Sequence, residues 1–191
     1  MSRILVLFAS NHGQTRLVAA AIVQQLRARG ATAELGDLAT WTSLPEPDAY
    51  DAVVLGSRVE YGKHAPALFA YVGAHREALA ARPIAFFSVS MAAARPLPGT
   101  DPEGYVQLAI DQMRLHPAVT AAFGGGLPYR QYGWLMRFVM RRIARSHGDP
   151  TDASRDHSFT DWEAVRAFAD RVAYVAGEHV EPQPATAAAR S

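Results

Sequence analysis

The chain has 191 residues, 49% of them hydrophobic and 19% charged, a balance ordinary for one soluble globular domain with a sizeable core. It holds no cysteine, which excludes a disulfide framework, a thiolate metal site, an iron–sulfur cluster and a cysteine nucleophile, and suits a reducing cytoplasm. The net charge of +1 hides an uneven distribution: between Asp111 and Asp149 there is no acidic residue, while Arg114, Arg130, Arg137, Arg141, Arg142 and Arg145 all fall there.

The first residues read directly as a strand, with no signal-peptide pattern, and no apolar run is long enough to span a bilayer. Arg3 to Phe8 is an unbroken apolar strand, followed by the polar turn "SNHGQT" and a helix from about Thr15 to Arg29. Gly30 stands where a helix-ending glycine belongs. Ala31 to Leu38 and Tyr50 to Ser57 are the second and third strands, the latter apolar enough for burial on both faces. A helix from Pro66 to about Ala80, a strand over residues 83–90, a helix from Pro102 to Leu115 and a weaker strand over 118–126 follow. Two further helices are expected, Gly133 to Ser146 and Trp162 to Val175, the second opened by a Thr160–Glu163 capping box. The tail over 177–191 lacks an apolar period and is expected to be disordered, leaving a single domain over 1–176.

Strands alternating with helices predict an α/β fold, a doubly wound five-stranded parallel sheet with helices on both faces. Ligands in such sheets bind beyond the carboxyl ends of the strands, here the loops at 9–15, 57–65 and 88–100. The first loop leads into a helix whose unpaired N–H groups and dipole favour an anion. Ser10, Asn11 and Thr15 add polar groups and Gly13 lets the backbone wrap closely. The phosphate-loop signature of ATP-hydrolysing proteins and the G-x-G-x-x-G dinucleotide fingerprint are both absent, so a monophosphate suits the turn best. A polar capping turn without a ligand is the alternative.

The stretches "LVLFASNHGQTR", "YDAVVLGSRVEYGKH", "AFFSVS", "GGGLPYRQYGWLMRFVMRRI" and "FTDWEAVRAFA" resemble the flavodoxin family. They are most similar to its quinone-dependent protoporphyrinogen oxidases of bacteria. The last two stretches carry the narrower likeness, because an ordinary flavodoxin has no Tyr-Arg-x-Tyr-x-Trp segment followed by a basic helix. The resemblance implies FMN, with its phosphate on Ser10, Asn11, His12, Gly13, Gln14 and Thr15. It places the flavin ring between Ser57, Arg58, Val59, Glu60, Tyr61 and Gly62 on one side and Ser88, Val89, Ser90 and Met91 on the other. Tyr61 would stack on the ring, Gly62 would allow close backbone approach and Ser90 would meet the pyrimidine edge. The implied substrate is protoporphyrinogen IX and the acceptor menaquinone or another quinone. Arg130, Tyr132, Trp134 and Arg137 would hold the propionates and macrocycle.

Two features depart from the family: Glu60 stands where the related oxidases carry a basic residue, and "SVSMAAARPLPG" lacks the acidic, aromatic pattern of electron carriers. Scarce negative charge near the flavin favours two-electron chemistry. No residue is singled out as an obligatory acid or base; His12 and His64 read as hydrogen-bonding histidines, and no metal is expected. The basic segment over about 128–147 suits peripheral contact with an anionic membrane from the cytoplasm, worth about 1 kcal/mol per arginine at the surface. A surface helix packed on the domain is the alternative for that segment. Other readings are an FMN quinone reductase fed by a nicotinamide donor and a one-electron carrier, the latter disfavoured by the basic segment. No recognised motif supports nucleic-acid binding.

Overall fold

The computed structural model describes residues 1–10, 13–40, 45–94, 100–127 and 157–178. Its strands are β1 (Arg3–Ala9), β2 (Thr32–Asp37), β3 (Ala52–Glu60), β4 (Lys63–His64), β5 (Ile84–Ser90) and β6 (Val119–Gly124), with a small ribbon of β7 (Gly126–Leu127) and β8 (His157–Ser158). Its helices are α1 (Gln14–Ala28), α2 (Pro66–Ala74), α3 (Arg76–Ala80), α4 (Met91–Ala94), α5 (Pro102–Met113) and α6 (Trp162–Glu178).

Five strands pair in parallel in the order β2-β1-β3-β5-β6. The chain winds outward from β1 in one direction and then the other, so the order reverses between β1 and β3 and a crevice opens beyond their carboxyl ends. The unbroken apolar run of β1 follows from coverage on both faces. Ile4, Val6 and Phe8 pack with α1 and α6, while Leu5, Leu7 and Ala9 pack with α2 and α5. Each fully buried leucine, isoleucine or phenylalanine contributes about 1.5–3 kcal/mol through removal from water. The α1–α6 layer closes around Phe87, Phe123 and Phe168, whose ring centroids lie 5.7–6.0 Å apart. Gly56 makes room for this cluster: a Cβ there would sit 2.1 Å from the Phe87 ring.

Several expected boundaries shift. The helix expected over residues 66–80 is broken at His75, whose ring lies 4.5 Å from that of Tyr71 with Nδ1 3.2 Å from the Glu46 carboxylate. The third strand runs on to Glu60 because β4 folds back onto it, pairing Val59 with His64 and Glu60 with Lys63. The strand expected over 83–90 does end at Ser90, so Ser88, Val89 and Ser90 belong to it, and Met91 opens a short helix in the loop expected to follow. The strand expected over 118–126 ends at Gly124, where the chain leaves the sheet toward β7. The last helix starts on Asp161, not on a Thr160 capping box: Asp161 Oδ1 accepts the N–H groups of Glu163 and Ala164 at 2.9 and 3.0 Å. Two further residues of the expected tail, Gly177 and Glu178, complete α6. The helix expected over 133–146 and the rest of the tail lie outside the described residues.

Candidate functional site

The site is assembled at the carboxyl ends of β1, β3, β5 and β6. Ala9 pairs with Ser57, so the turn after β1 begins directly beside Arg58. Ser10 Oγ accepts the Gly13 N–H at 3.1 Å, which folds the turn back on itself. Gly13 then opens α1 in the left-handed region (φ 86°), a conformation glycine adopts without strain. Nothing lies within 4 Å of where its Cβ would be, and no side chain caps the helix among the described residues. No acidic residue stands in the first turn to offset the partial positive charge of its N–H groups. Thr15 is buried against the core. Asn11 and His12 lie outside the described residues.

The second wall is a hairpin rather than the expected loop. Tyr61 and Gly62 form its two-residue turn, with φ of 50° and 73°. Positive φ at both centres is the turn that matches strand twist, and it usually takes Asn-Gly. Tyrosine there is strained by about 1–2 kcal/mol, a cost that clusters at functional sites. Its side chain is 96% exposed at the hairpin tip, whereas most aromatic rings of the described chain are buried or half-buried. Arg58 and Glu60, two apart on the same strand face, are ion-paired at 3.1 Å, so the acidic departure at Glu60 is met by a cation next door. Ser57 is fully buried; its hydroxyl donates to the Arg58 carbonyl and accepts the Ala65 N–H, so it works within the fold.

His64, just past the hairpin, is buried against Phe69 and Phe86. Its Nε2 lies 2.8 Å from the Tyr105 carbonyl and donates to it, joining the hairpin to α5. Burial lowers its pKa, opposed by that hydrogen bond, so the ring is neutral and Nδ1 is left as an acceptor without a partner among the described residues. Ser88, across from Ser57, is likewise fully buried with an unpaired hydroxyl.

The third wall is the end of β5. Ser90 Oγ accepts the Ala93 N–H at 3.0 Å, and Met91 is 36% exposed above it. Gly125 N–H reaches the Ser90 carbonyl at 2.8 Å, and a Cβ on Gly124 would meet the Phe159 carbonyl oxygen at 2.4 Å. Gly124, Gly125 and Thr160 were missed by the sequence reading; the Gly-Gly-Gly run was the available signal for close backbone packing. The side-chain amide of Gln14, a residue expected at the phosphate, donates to Thr160 Oγ1 at 2.7 Å. The expected substrate residues Arg130, Tyr132, Trp134 and Arg137 lie outside the described residues.

An open doubly wound sheet with an uncapped, glycine-opened helix at the switch point defines a flavodoxin-like protein. The chain belongs to the flavodoxin domain family, which matches residues 5–154. FMN is the cofactor of this class. Within the family the chain is 32% identical over 174 residues to the protoporphyrinogen IX dehydrogenase [quinone] of Escherichia coli strain K12, covering 90% of this chain and 94% of that protein. It is 30% identical over 167 residues to the protein of the same name from Leishmania major, covering 86% of this chain and 72% of that one. Among solved structures, oxidised flavodoxin 1 from Bacillus cereus superposes with a TM-score of 0.56 at 15% identity, over 94% of this chain and 100% of that chain, a likeness of fold.

Proposed function

We propose that this chain is an FMN-dependent enzyme that oxidises protoporphyrinogen IX to protoporphyrin IX and passes the electrons to a quinone. The observation that carries the reading is the similarity to the Escherichia coli enzyme, which spans 94% of that protein. In this reading the N–H groups of Gln14 and Thr15 and the Ser10 hydroxyl, which keeps its own hydrogen while accepting the Gly13 N–H, hold the FMN phosphate. The exposed Tyr61 ring covers one face of the flavin, and its left-handed backbone keeps that ring at the hairpin tip. Gly62 leaves the hairpin backbone bare beside the ring, and the end of β5 from Ser90 to Met91 forms the opposing wall. When bound, FMN supplies the redox chemistry, taking hydrogen from the porphyrinogen and delivering it to the quinone. Glu60 on the second wall is ion-paired to Arg58, with Lys63 opposite it in the hairpin.

The porphyrinogen carries propionates that arginine pairs in bidentate fashion. The basic segment with Arg130 and Arg137, flanked by Tyr132 and Trp134, is the part of the sequence with that chemistry. No described helix is long and apolar enough to cross a membrane, so access to a lipid-dissolved quinone is taken to be peripheral, through that segment. The test is an anaerobic fluorescence assay with purified protein, FMN, protoporphyrinogen IX and menadione, against a no-enzyme control. A rise in protoporphyrin emission that needs both FMN and the quinone is expected. FMN-loaded protein giving no rise above the control would overturn the substrate assignment.

A further inference from the structure

The turn proposed for the cofactor phosphate is held from outside itself. Gln14, the first residue of α1, sends its side-chain amide to Thr160 Oγ1, 146 positions away, at 2.7 Å. The Thr160 hydroxyl spends its one hydrogen on the Gly124 carbonyl, also at 2.7 Å, and so receives the Gln14 amide on a lone pair. Thr160 is 8% exposed, so both bonds form largely out of water. From Gly124 the contact continues through the backbone: Phe159 N–H to the Gly125 carbonyl at 3.1 Å, and Gly125 N–H to the Ser90 carbonyl at 2.8 Å. The missing Cβ of Gly124 is what lets Phe159 come this close.

One hydroxyl thus joins the start of α1, the end of β6 and the approach to α6, next in sequence to the β7–β8 ribbon. Thr160 does not cap α6, since Asp161 does that. The bonds to Gln14 and Gly124 set this threonine between the start of α1 and the end of β6.

We propose that Thr160 is a positioning residue for the cofactor: through Gln14 it fixes the first turn of α1 in the orientation that binds the FMN phosphate. The proposal rests on the FMN reading above. It predicts that Thr160 acts on the phosphate end of the cofactor and not on the ring, although it touches neither.

The test is titration of the apoprotein with FMN and with riboflavin, which lacks the phosphate, followed by flavin fluorescence. Thr160→Val keeps the shape and loses both bonds; it is expected to raise the FMN dissociation constant about tenfold while changing that of riboflavin less than twofold. Thr160→Ser keeps the hydroxyl and is expected to restore FMN binding to within about twofold of wild type. Gln14→Leu is expected to reproduce the valine variant, and the double variant to be no worse than either single one. Should Thr160→Val fail to fold, the Gln14→Leu pair of titrations decides alone. Equal losses for FMN and riboflavin would mean a merely structural threonine and overturn the proposal, as would a valine variant that binds FMN normally. A wild-type chain that binds riboflavin and FMN equally well overturns the phosphate-site reading itself, which is a distinguishable failure.

Discussion

The two ends of the same sheet are built differently. At the amino end, polar groups are tied down pairwise by side chains. Asp51 accepts the Arg3 N–H at 2.7 Å, Tyr50 donates to Glu34 at 2.7 Å, and Arg82 reaches Asp48 and the Pro47 and Tyr50 carbonyls. Desolvation, together with the Glu34 bond, pushes the Tyr50 pKa up to about 12. Asp170, held by Arg29 and Gln25, is lowered to about 2. Left-handed residues at this end, Gly30 and Arg114, finish helices, where that conformation is common. At the carboxyl end, left-handed residues instead open a helix at Gly13 and turn a hairpin at Tyr61 and Gly62. There the helix is uncapped, a large aromatic ring is exposed, and His64 and Ser88 keep unpaired polar atoms among the described residues. The amino end is held together largely by its own side chains, with Arg82 Nε the one buried side-chain atom there left without a partner among the described residues; the carboxyl end has its helix start uncapped and its aromatic tip exposed.

The sharpest way to break this contrast is a matched pair of variants. Gly13→Ala puts a Cβ into the left-handed region and should cost about 1 kcal/mol of stability; FMN affinity should fall about tenfold or more. Arg82→Met removes the ties at the amino end and should cost about 1–2 kcal/mol, with FMN affinity unchanged. Urea unfolding and flavin titration on both proteins decide; losses of affinity that merely track losses of stability would erase the distinction.

A smaller effect is expected at the hairpin tip. Tyr61→Gly relieves the strained backbone and should leave the protein as stable as wild type or up to about 1 kcal/mol more so. It should at the same time weaken FMN binding through loss of the aromatic face. A variant that loses stability and keeps its affinity would show that the tyrosine serves the fold.

The smallest effect concerns pH. Because burial lowers the His64 pKa below its ordinary 6.5, the unfolded chain takes up a proton that the native ring refuses. The stability tied to His64 is therefore complete above about pH 6.5 and lost as the pH falls below it. His64→Gln, which retains a donor for the Tyr105 carbonyl, should flatten the fall in unfolding midpoint between about pH 7.5 and 5.5. An unchanged slope would mean that other groups account for the acid sensitivity.

Much of this was legible beforehand. The apolar runs of β1, β3 and β5 announce strands covered on both faces, because parallel sheets bury both sides and leave no polar alternation. Gly13 after a strand and before a helix marks the turn into α1, where the glycine is left-handed as its place implies. The hairpin itself was hidden, since β4 is two residues long and exists only by pairing with the end of β3. The Thr160–Glu163 spacing misled, because Asp161 competes for the same N–H groups and Thr160 is drawn away to Gly124.

Order along the chain was thus enough for the layers, the strand count and the family, because hydrophobic period and turn chemistry are local. Which hydroxyls face a ligand and which serve the fold was decided by tertiary contact alone. Ser57, Gln14 and Thr160 each find their partner across 8 to 146 positions of sequence, and a donor's choice among competing acceptors is made by distance in space.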